Sequence, residues 1–565
     1  MPKHLAALLS ILVTLSAPAV RAGDDEHEHE GRRRVKHVLL LSIDGFHGVD
    51  LESWIYDHPN STLAKLSRHG VRYDHARTAT PSDSFPGLLA LVTGGTPKVT
   101  GVYYDDSYDR TLFPPGSNCQ GNPGTEVIYD ESRDFDTDQL FSGGIDPTKL
   151  VLTKDASGCR PVFPHEFLKA NTIFEVARAA GRHTAWSDKH PTYDLVNGPS
   201  GTGVEDLYTP EINSLVANGG TVQGIDLTGT LKQCDATNSL PTVAVYTDCI
   251  PSQEAYDDVK VQAILNEIEG KKSDGSAWAS GPRVPAIFGM NFQAVSVGEK
   301  LPIGGYLTAA GDPKPTLEGA IAHTDASIGR MVDALKKAGL FEKTVIIVTA
   351  KHGQSPIDFQ RLAMEGGGHA PVQTVADPLP FINMADPNVD NGAGPQGEAT
   401  EGHFQTDDVG ILWLQDQSTS NRDAVVAQLT ANAAAIHANV TPPGIIFDAN
   451  INFGHELAEV FGDPTVPGCL AHARAPDVFV QPNAGVIYSK SKSKIAEHGG
   501  GTIDDTHVAL LVSGHHLEAR SIHEKVSTTQ VAPTILELLG LDPHALDAVQ
   551  KEHTRVLPGL FEDRD

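Results

Sequence analysis

Apolar runs in this chain break off at residues that could do chemistry. Val38-Leu-Leu-Leu-Ser-Ile ends in Asp44-Gly45, and Val345-Ile-Ile-Val-Thr-Ala ends in Lys351-His352-Gly353. Glu497-His498-Gly499 leads through Asp504-Asp505 into His507-Val-Ala-Leu-Leu-Val-Ser-Gly514. β-Branched apolar runs of this length read as strands buried on both faces of a parallel α/β sheet. Such sheets bind ligands beyond the carboxyl ends of their strands. A carboxylate and two imidazoles gathered at one edge are donors for a metal or for proton transfer. Any one of them alone is an ordinary polar strand end; the three with their glycines point to an active site. Ser84 adds a nucleophile. The small polar loop Ala79–Gly87 runs into apolar Leu88–Thr93, which sets Ser84 near a helix N-terminus. Backbone N–H groups there favour an anion and help to activate a hydroxyl, although a plain N-cap is the commoner use of such a serine. A fourth strand end, after His183-Thr-Ala-Trp186, carries Asp188, Lys189 and His190.

The elements that must position these residues follow from periodicity. Val35 to about Thr100 reads as strand, helix, short strand and helix, with the first helix closing at Gly70 and the short strand at Val71–Arg77. Asn171–Gly181 reads as a capped helix, Val284–Gln293 as a buried strand, and Leu317–Gly339 as a helix feeding the Val345 strand. Val409–Leu414 reads as a strand and Asp423–Ala438 as a helix, a small appended layer. Asp477–Val480 and Gly485–Tyr488 then read as strands, and Thr529–Leu541 as an amphipathic helix. The alternation predicts an α/β fold, a mostly parallel sheet flanked by helices. One catalytic domain is expected over 35–545, with irregular insertions at about 101–165, 204–280 and 356–470 and a tail at 546–565. His369 and His403 lie in Gly-rich stretches and read as surface-loop residues.

Composition narrows the setting. The chain opens with a lysine, an apolar run from Leu5 to Ser16, and Val20-Arg21-Ala22. That is the pattern of a secretory signal peptide, 1–22, cleaved near Ala22. Residues 23–34 are charged and read as a disordered leader, in which His27 and His29 are tail residues. No later run is long enough to span a bilayer, so a secreted or periplasmic protein is expected. Asn60-Ser-Thr62 and Asn439-Val-Thr441 are glycosylation acceptors if the source glycosylates. Among the 5 cysteines none has CxxC spacing, so a zinc ribbon is not indicated. Proximity suggests Cys119–Cys159 and Cys234–Cys249 disulfides with Cys469 left over, other connectivities staying open. The formal charge of −29 argues against binding duplex nucleic acid or anionic membrane. It leaves room for a small phosphate ester in a locally positive site.

In order along the chain, Ser42-Ile-Asp44-Gly45-Phe46, Thr80-Pro-Ser-Asp-Ser84-Phe85-Pro86, Lys351-His352-Gly353, His498-Gly499 with Asp504-Asp505, and Gln530-Val-Ala-Pro-Thr-Ile-Leu-Glu-Leu-Leu-Gly540 resemble the alkaline phosphatase superfamily. Within it they are most similar to the type I phosphodiesterase/nucleotide pyrophosphatase branch, over about residues 36–541. The resemblance implies two zinc ions at strand ends, about 4 Å apart. It also implies a Ser or Thr alkoxide that attacks phosphorus, giving a phospho-enzyme that water then hydrolyses. By the resemblance Asp44, Ser84, His352 and His498 are metal ligands, and Ser84 is also the nucleophile. The departures are specific. Lys351 stands where the family has Asp before His. Phe292-Gln293-Ala-Val-Ser-Val-Gly298-Glu299 stands where the family has an Asp and His pair, leaving Gln293 and Glu299 as weaker metal candidates. Gly87 stands where the phosphodiesterase branch has a phosphate-contacting Asn.

Zinc needs deprotonated ligands, usually four. An ammonium about 4 Å from a divalent cation is repelled by several kcal/mol at an effective dielectric of about 20. A modified site is therefore expected, holding one zinc or other divalent ion, or none. In the metal-free case Lys351 occupies a metal position, pairs with Asp44 and contacts phosphoryl oxygens, while Lys189 and His190 add donors. The function so predicted is an exported phosphodiesterase/nucleotide pyrophosphatase-like hydrolase of a small-molecule phosphate ester. Its catalytic residues would be Ser84, Lys351, Lys189 and His190. The alternative is a catalytically inactive binding protein on the same fold. A sulfatase is disfavoured because Ser84-Phe-Pro86 is followed by Gly87-Leu88, without the required Arg. A Ser-His-Asp esterase is disfavoured because the Gly-x-Ser-x-Gly elbow is missing.

Overall fold

A computed structural model describes residues 35–561, except 232, 235–243, 359–362, 365–402, 407, 415–416, 438–450, 463–471, 483 and 488–493. The expected signal peptide and leader, much of the 356–470 insertion, and His369, Asn439 and Cys469 lie outside the described residues.

Eight strands form the main sheet. They are β1 (His37–Ile43), β2 (Gly70–Arg77), β3 (Ala185–Ser187), β4 (Asp206–Tyr208), β5 (Ile287–Phe292), β6 (Thr344–Thr349), β7 (Leu510–Ser513) and β8 (Arg520–Ser527). Their order is β8-β2-β7-β6-β1-β5-β3-β4. Adjacent strands pair in parallel, except that β7 runs antiparallel to both β6 and β2. The central strands are apolar because both their faces are covered. Val38 and Leu40 of β1, with Val345 and Ile347 of β6, pack into one core. Helices α2 (Ser84–Thr93) and α6 (Val531–Leu538) cover that face, through Leu88, Leu89, Ile535 and Leu536 among others. Leu39, Leu41, Ile346 and Val348 pack into a second core on the opposite face. There α3 (Ile250–Ile268) and α5 (Pro315–Lys337) supply Ile264, Ile321 and Met331. Each fully buried aliphatic side chain contributes roughly 1.5–3 kcal/mol.

Register and alternation decide where the strand-end residues go. Ser42 lies opposite both Asn291 and Thr349. Asp44, Gln293 and Lys351 each follow two residues later, so they emerge side by side at the carboxyl edge. Strand side chains alternate between faces, which turns all three toward the face that α2 covers. Trp186 packs in the same core, and Asp188 follows it on that face. The reversed direction of β7 matters here. A parallel strand in its place would bring its carboxyl end to this edge; the antiparallel strand brings the loop before it, which holds His498 and Asp505.

Two stretches expected to lie outside the domain core belong to it. Residues 204–280 contribute edge strand β4 and the long helix α3. β4 is only Asp-Leu-Tyr, and α3 buries Asp257, Lys260, Asn266 and Glu267 among its apolar residues, so neither shows a clear apolar period. The expected tail packs down as well: Leu546, Val549, Leu557 and Leu560 join the core under α2 and α6. Gly70 opens β2 rather than capping a helix. Among the described residues a separate four-stranded sheet includes Gly410–Trp413, the strand of the expected appended layer, and also Val478–Val480, which was not expected there. Both proximity-suggested disulfides, Cys119–Cys159 and Cys234–Cys249, are formed. Among the described residues no helix is long and apolar enough to cross a membrane.

Where the first insertion meets the segment after β4, two buried carboxyls face each other. Burial, opposed by hydrogen bonding, raises Asp134 to about 6. Burial and the neighbouring Asp134 push Glu211 up to about 10. Both folded values exceed the unfolded ones, so the folded chain keeps protons that the unfolded chain releases. This contribution to stability is complete below about pH 4, the unfolded range of these carboxyls, and it is lost as pH rises through the folded values. Stability should therefore fall between about pH 5 and pH 9. Glu211→Gln, neutral at every pH, should flatten that slope in thermal unfolding; a slope equal to wild type would show that the pair does not share a proton.

Candidate active site

Ser84 is the first residue of α2, whose N-cap is Asp83. The Asp83 carboxylate accepts the Phe85 N–H at 3.0 Å, so the helix terminus anticipated as an anion site spends a donor on its own cap. α2 sits tight against the sheet edge: a Cβ at Gly87 would lie 1.8 Å from the Lys351 carbonyl oxygen. Only glycine permits that approach. The residue expected from the family to touch phosphate is here a packing residue.

Asp44 is the centre of the cluster. It is buried, and Lys351 Nζ lies 3.3 Å from its Oδ2. His352 Nε2 is 3.5 Å away, Lys189 Nζ 3.9 Å, and Asn291 Nδ2 donates at 3.2 Å. Gln293 Nε2 also donates to the same oxygen. Burial works against the Asp44 charge, yet Lys351, His352 and Lys189 outweigh it and hold the carboxyl well below its usual range. Lys351 is fully buried; it also donates to the Tyr193 hydroxyl at 2.7 Å and lies 3.7 Å from Asp188. Burial raises Asp188 and pushes the Tyr193 phenol well up. Burial also lowers Lys189, and the neighbouring Lys351 adds to that.

Ser84 Oγ faces this cluster. It accepts from Lys189 Nζ at 3.2 Å and lies 3.4 Å from His352 Nε2. His352 Nδ1 is 2.8 Å from the Gly353 carbonyl, which can only accept, so Nδ1 carries the proton and Nε2 is turned toward Ser84 and Asp44. His498 stacks on His352 with centroids 3.9 Å apart, its Nδ1 3.8 Å from Asp83. Burial, reinforced by His352, lowers His498 well below the usual histidine range. The His498 loop is pinned to the Lys351 loop by paired backbone bonds between Ser355 and Glu497, at 2.7 and 2.6 Å. His190 lies behind Ser84, its Nδ1 2.6 Å from Thr192 Oγ1, and burial followed by Lys189 and Lys351 lowers it well. A cavity of about 330 Å³ opens onto Asp44, Ser84, Lys189, His190, Gln293 and His498.

The structure thus brings together Asp44, Ser84, Lys189, His190, Gln293, Lys351, His352 and His498. Glu299 is not among them. Its carboxylate lies 3.4 Å from His47 Nδ1 and accepts from the Tyr306 hydroxyl at 2.8 Å, beside Asp50. Burial, opposed by His47, raises Glu299 to about 7. Sequence reasoning missed His47, Asp50 and Tyr306; the i, i+3 spacing of His47 and Asp50 before a helix was the available signal. It also missed Asn291 and Tyr193, one inside a strand and one inside the 3-10 helix Pro191–Asn197, where nothing in the local pattern marks them.

The residues do not fit two zinc ions. Among the described residues, the one trio of His, Cys, Asp or Glu side chains with ligand atoms all within 4.8 Å of one another is His47, Asp50 and Glu299, away from Ser84. That trio is built as an ion pair: Glu299 and Asp50 outweigh burial and hold His47 well above the usual histidine range. At the strand ends, ammonium and amide donors already surround Asp44 Oδ2. A dication about 4 Å from Lys351 would be repelled by about 8 kcal/mol at an effective dielectric of about 20.

The model of the type I phosphodiesterase / nucleotide pyrophosphatase family matches residues 38–201 and 304–507. The unmatched stretch between them holds Gln293 and Glu299. Ectonucleotide pyrophosphatase/phosphodiesterase family member 3 of Bos taurus is 35% identical over 89 residues, 15% of this chain and 10% of that protein. Its Mus musculus counterpart is 33% identical over the same length. The match spans about a tenth of these curated relatives. Among solved structures, alkaline phosphatase PafA superposes with a TM-score of 0.53 at 12% identity, covering 91% of this chain and 97% of that one. Murine ectonucleotide pyrophosphatase / phosphodiesterase 5 superposes at 0.50 and 14% identity, covering 90% and 96%. These likenesses show the fold.

Removing the ammonium tests the cluster. Lys351→Met should destabilise the protein by about 3–5 kcal/mol, because it leaves Asp44 and Asp188 buried without their cation. Adding Asp44→Asn should recover part of the loss in urea unfolding. Additive losses would mean that the two side chains are not coupled.

Proposed function

The chain belongs to the type I phosphodiesterase/nucleotide pyrophosphatase family, and on that premise we propose that it is an exported hydrolase of small-molecule phosphate esters, with Ser84 as nucleophile in a modified metal site. The observation that carries this reading is the setting of Ser84 Oγ, which has an ammonium at 3.2 Å and an imidazole nitrogen at 3.4 Å. A hydroxyl in reach of both a base and a cation is the arrangement nucleophilic catalysis needs. The Ser84 proton passes to His352 Nε2 as the Oγ–P bond forms and the bond from phosphorus to the leaving oxygen breaks. The leaving alkoxide takes up a proton, and water then cleaves the phosphoserine, returning the hydroxyl. The Lys189 ammonium opposes the charge on the phosphoryl oxygens, while Lys351 behind it neutralises Asp44. A cavity of about 330 Å³ suits a small ester rather than a duplex nucleic acid.

A binding-only reading draws on the same crowding of donors around Asp44, since the site differs from a two-zinc centre. Ser84→Ala separates the two. The variant should retain wild-type thermal stability, since one hydroxyl at the edge of a cavity contributes little to packing. It should lose hydrolysis of bis(p-nitrophenyl) phosphate by at least about a thousandfold, the scale of losing a nucleophile. Turnover undiminished in the variant removes Ser84 from the reaction, and a wild-type protein that binds the ester without cleaving it favours the binding-only reading.

A further inference from the structure

The disagreement between this donor set and a two-metal centre has a positive side. A two-metal site supplies a phosphoryl group with concentrated positive charge from the sheet edge. Here two ammonium groups neutralise the same carboxylate, and one of them, Lys189, lines the cavity. Lys351 Nζ stands 3.3 Å from Asp44 Oδ2 with no exposed surface, and Lys189 Nζ stands 3.9 Å from that oxygen and 3.2 Å from Ser84 Oγ. Each is held in place. Lys351 is fixed by Tyr193, which donates nothing to it but accepts at 2.7 Å and lays its ring 4.7 Å from the ammonium. The backbone N–H of Lys189 is fixed by Asp188, whose other oxygen accepts from Trp186 Nε1. A lysine introduced by drift into a closed sheet edge would leave a buried charge without such partners, and that is strongly destabilising.

We propose that Lys351 and Lys189 have taken the place of the metal ions, Lys351 neutralising Asp44 from within the sheet edge and Lys189 meeting the phosphoryl group of the substrate at the cavity, with no divalent cation. The proposal rests on the hydrolase reading above for the identity of the ligand, but not for its binding. It carries a consequence for charge. Lys189 and Lys351, with Lys300 and Lys494 at the cavity wall, bring four ammoniums. Asp44, Asp83, Asp188 and Glu497, which they or His498 contact, bring four carboxyl groups. Two dications would add four positive charges to such a balance; without them the site has little excess charge to spend on a dianion. Asp105, Asp130, Glu131 and Asp248 line the same cavity and disfavour further negative charge. A singly charged phosphodiester therefore suits this cavity better than a phosphomonoester dianion or a nucleoside polyphosphate.

The experiment uses the full chain after treatment with EDTA, and zinc content is read by elemental analysis. Binding of bis(p-nitrophenyl) phosphate and of p-nitrophenyl phosphate to Ser84→Ala is measured by calorimetry with EDTA and, separately, with added zinc. The expected result is no stoichiometric zinc, the same diester affinity in both buffers, and a diester preference of about tenfold or more over the monoester. Lys189→Met, at a partly exposed position, should weaken diester binding about tenfold or more while lowering thermal stability far less than Lys351→Met does. Stoichiometric zinc, or diester binding that appears only with zinc, overturns the proposal. Equal affinity for the monoester overturns its charge consequence. Hydrolysis by the wild-type chain is scored separately. Turnover that requires zinc keeps the hydrolase and removes the lysine substitution. Metal-free binding without turnover keeps the substitution and removes the hydrolase.

Discussion

One buried carboxylate sets the terms for the whole carboxyl edge of the sheet. Asp44 has almost no exposed surface, and a charge there is tolerable only when it is paired and hydrogen-bonded. Lys351 at 3.3 Å contributes an attraction of about 5 kcal/mol at an effective dielectric of about 20, but it is itself buried and must be desolvated too. A pair of that kind does not stabilise by itself. The surplus comes from the surrounding groups, Asn291 and Gln293 from β5 and its end and Lys189 from the end of β3. In a metal centre the ion would perform this neutralisation from the cavity. Here side chains of the protein surround the carboxylate, and of these Lys189 and Gln293 also line the cavity.

Much of this was legible because strand-end residues announce themselves. Asp44 and Lys351 each terminate a long apolar run, and the family order of motifs placed Ser84 and His498 beside them. Direction was not legible: nothing in Leu510–Ser513 says that it runs against its neighbours, although that reversal is what delivers the loop holding His498 to the edge. Nor was reach. Lys189 stood out as an ionisable residue after a strand, but its contact with Ser84 depends on β3 being short and on how the chain turns after it. β4 and α3 were taken for insertion because a three-residue strand and a helix with buried charges carry weak periodicity. The buried Lys260 of α3 donates to the Asn291 carbonyl, and Asp257 accepts from the Gln293 and Ala294 N–H groups at 2.9 and 2.8 Å. The polar residues that blurred the pattern are the ones that fix the β5 end.

That anchoring explains why Glu299 left the active face. The short helix α4, Ala294–Lys300, starts directly at Gln293 under the grip of Asp257. Gln293 at its head points to Asp44, and Glu299 lies farther along it on the far side of Gly45. A Cβ at Gly45, whose φ is +81°, would stand 2.4 Å from Glu299 Oε2. Behind that glycine, His47 directs Nδ1 at Asp50, 3.0 Å away, and at Glu299, while Nε2 meets the Gln354 and Asp504 carbonyls at 3.0 and 2.9 Å. With Nδ1 given to carboxylates and Nε2 taken up by backbone groups of the Gln354 and Asp504 loops, the ring has little left to offer a metal. What it can do is tie three segments together: the loop after β1, the loop after β6 and the loop before β7. Those segments carry Asp44, His352 and His498. The cluster that most resembles a metal site by spacing is therefore a clamp on the loops that carry those three residues.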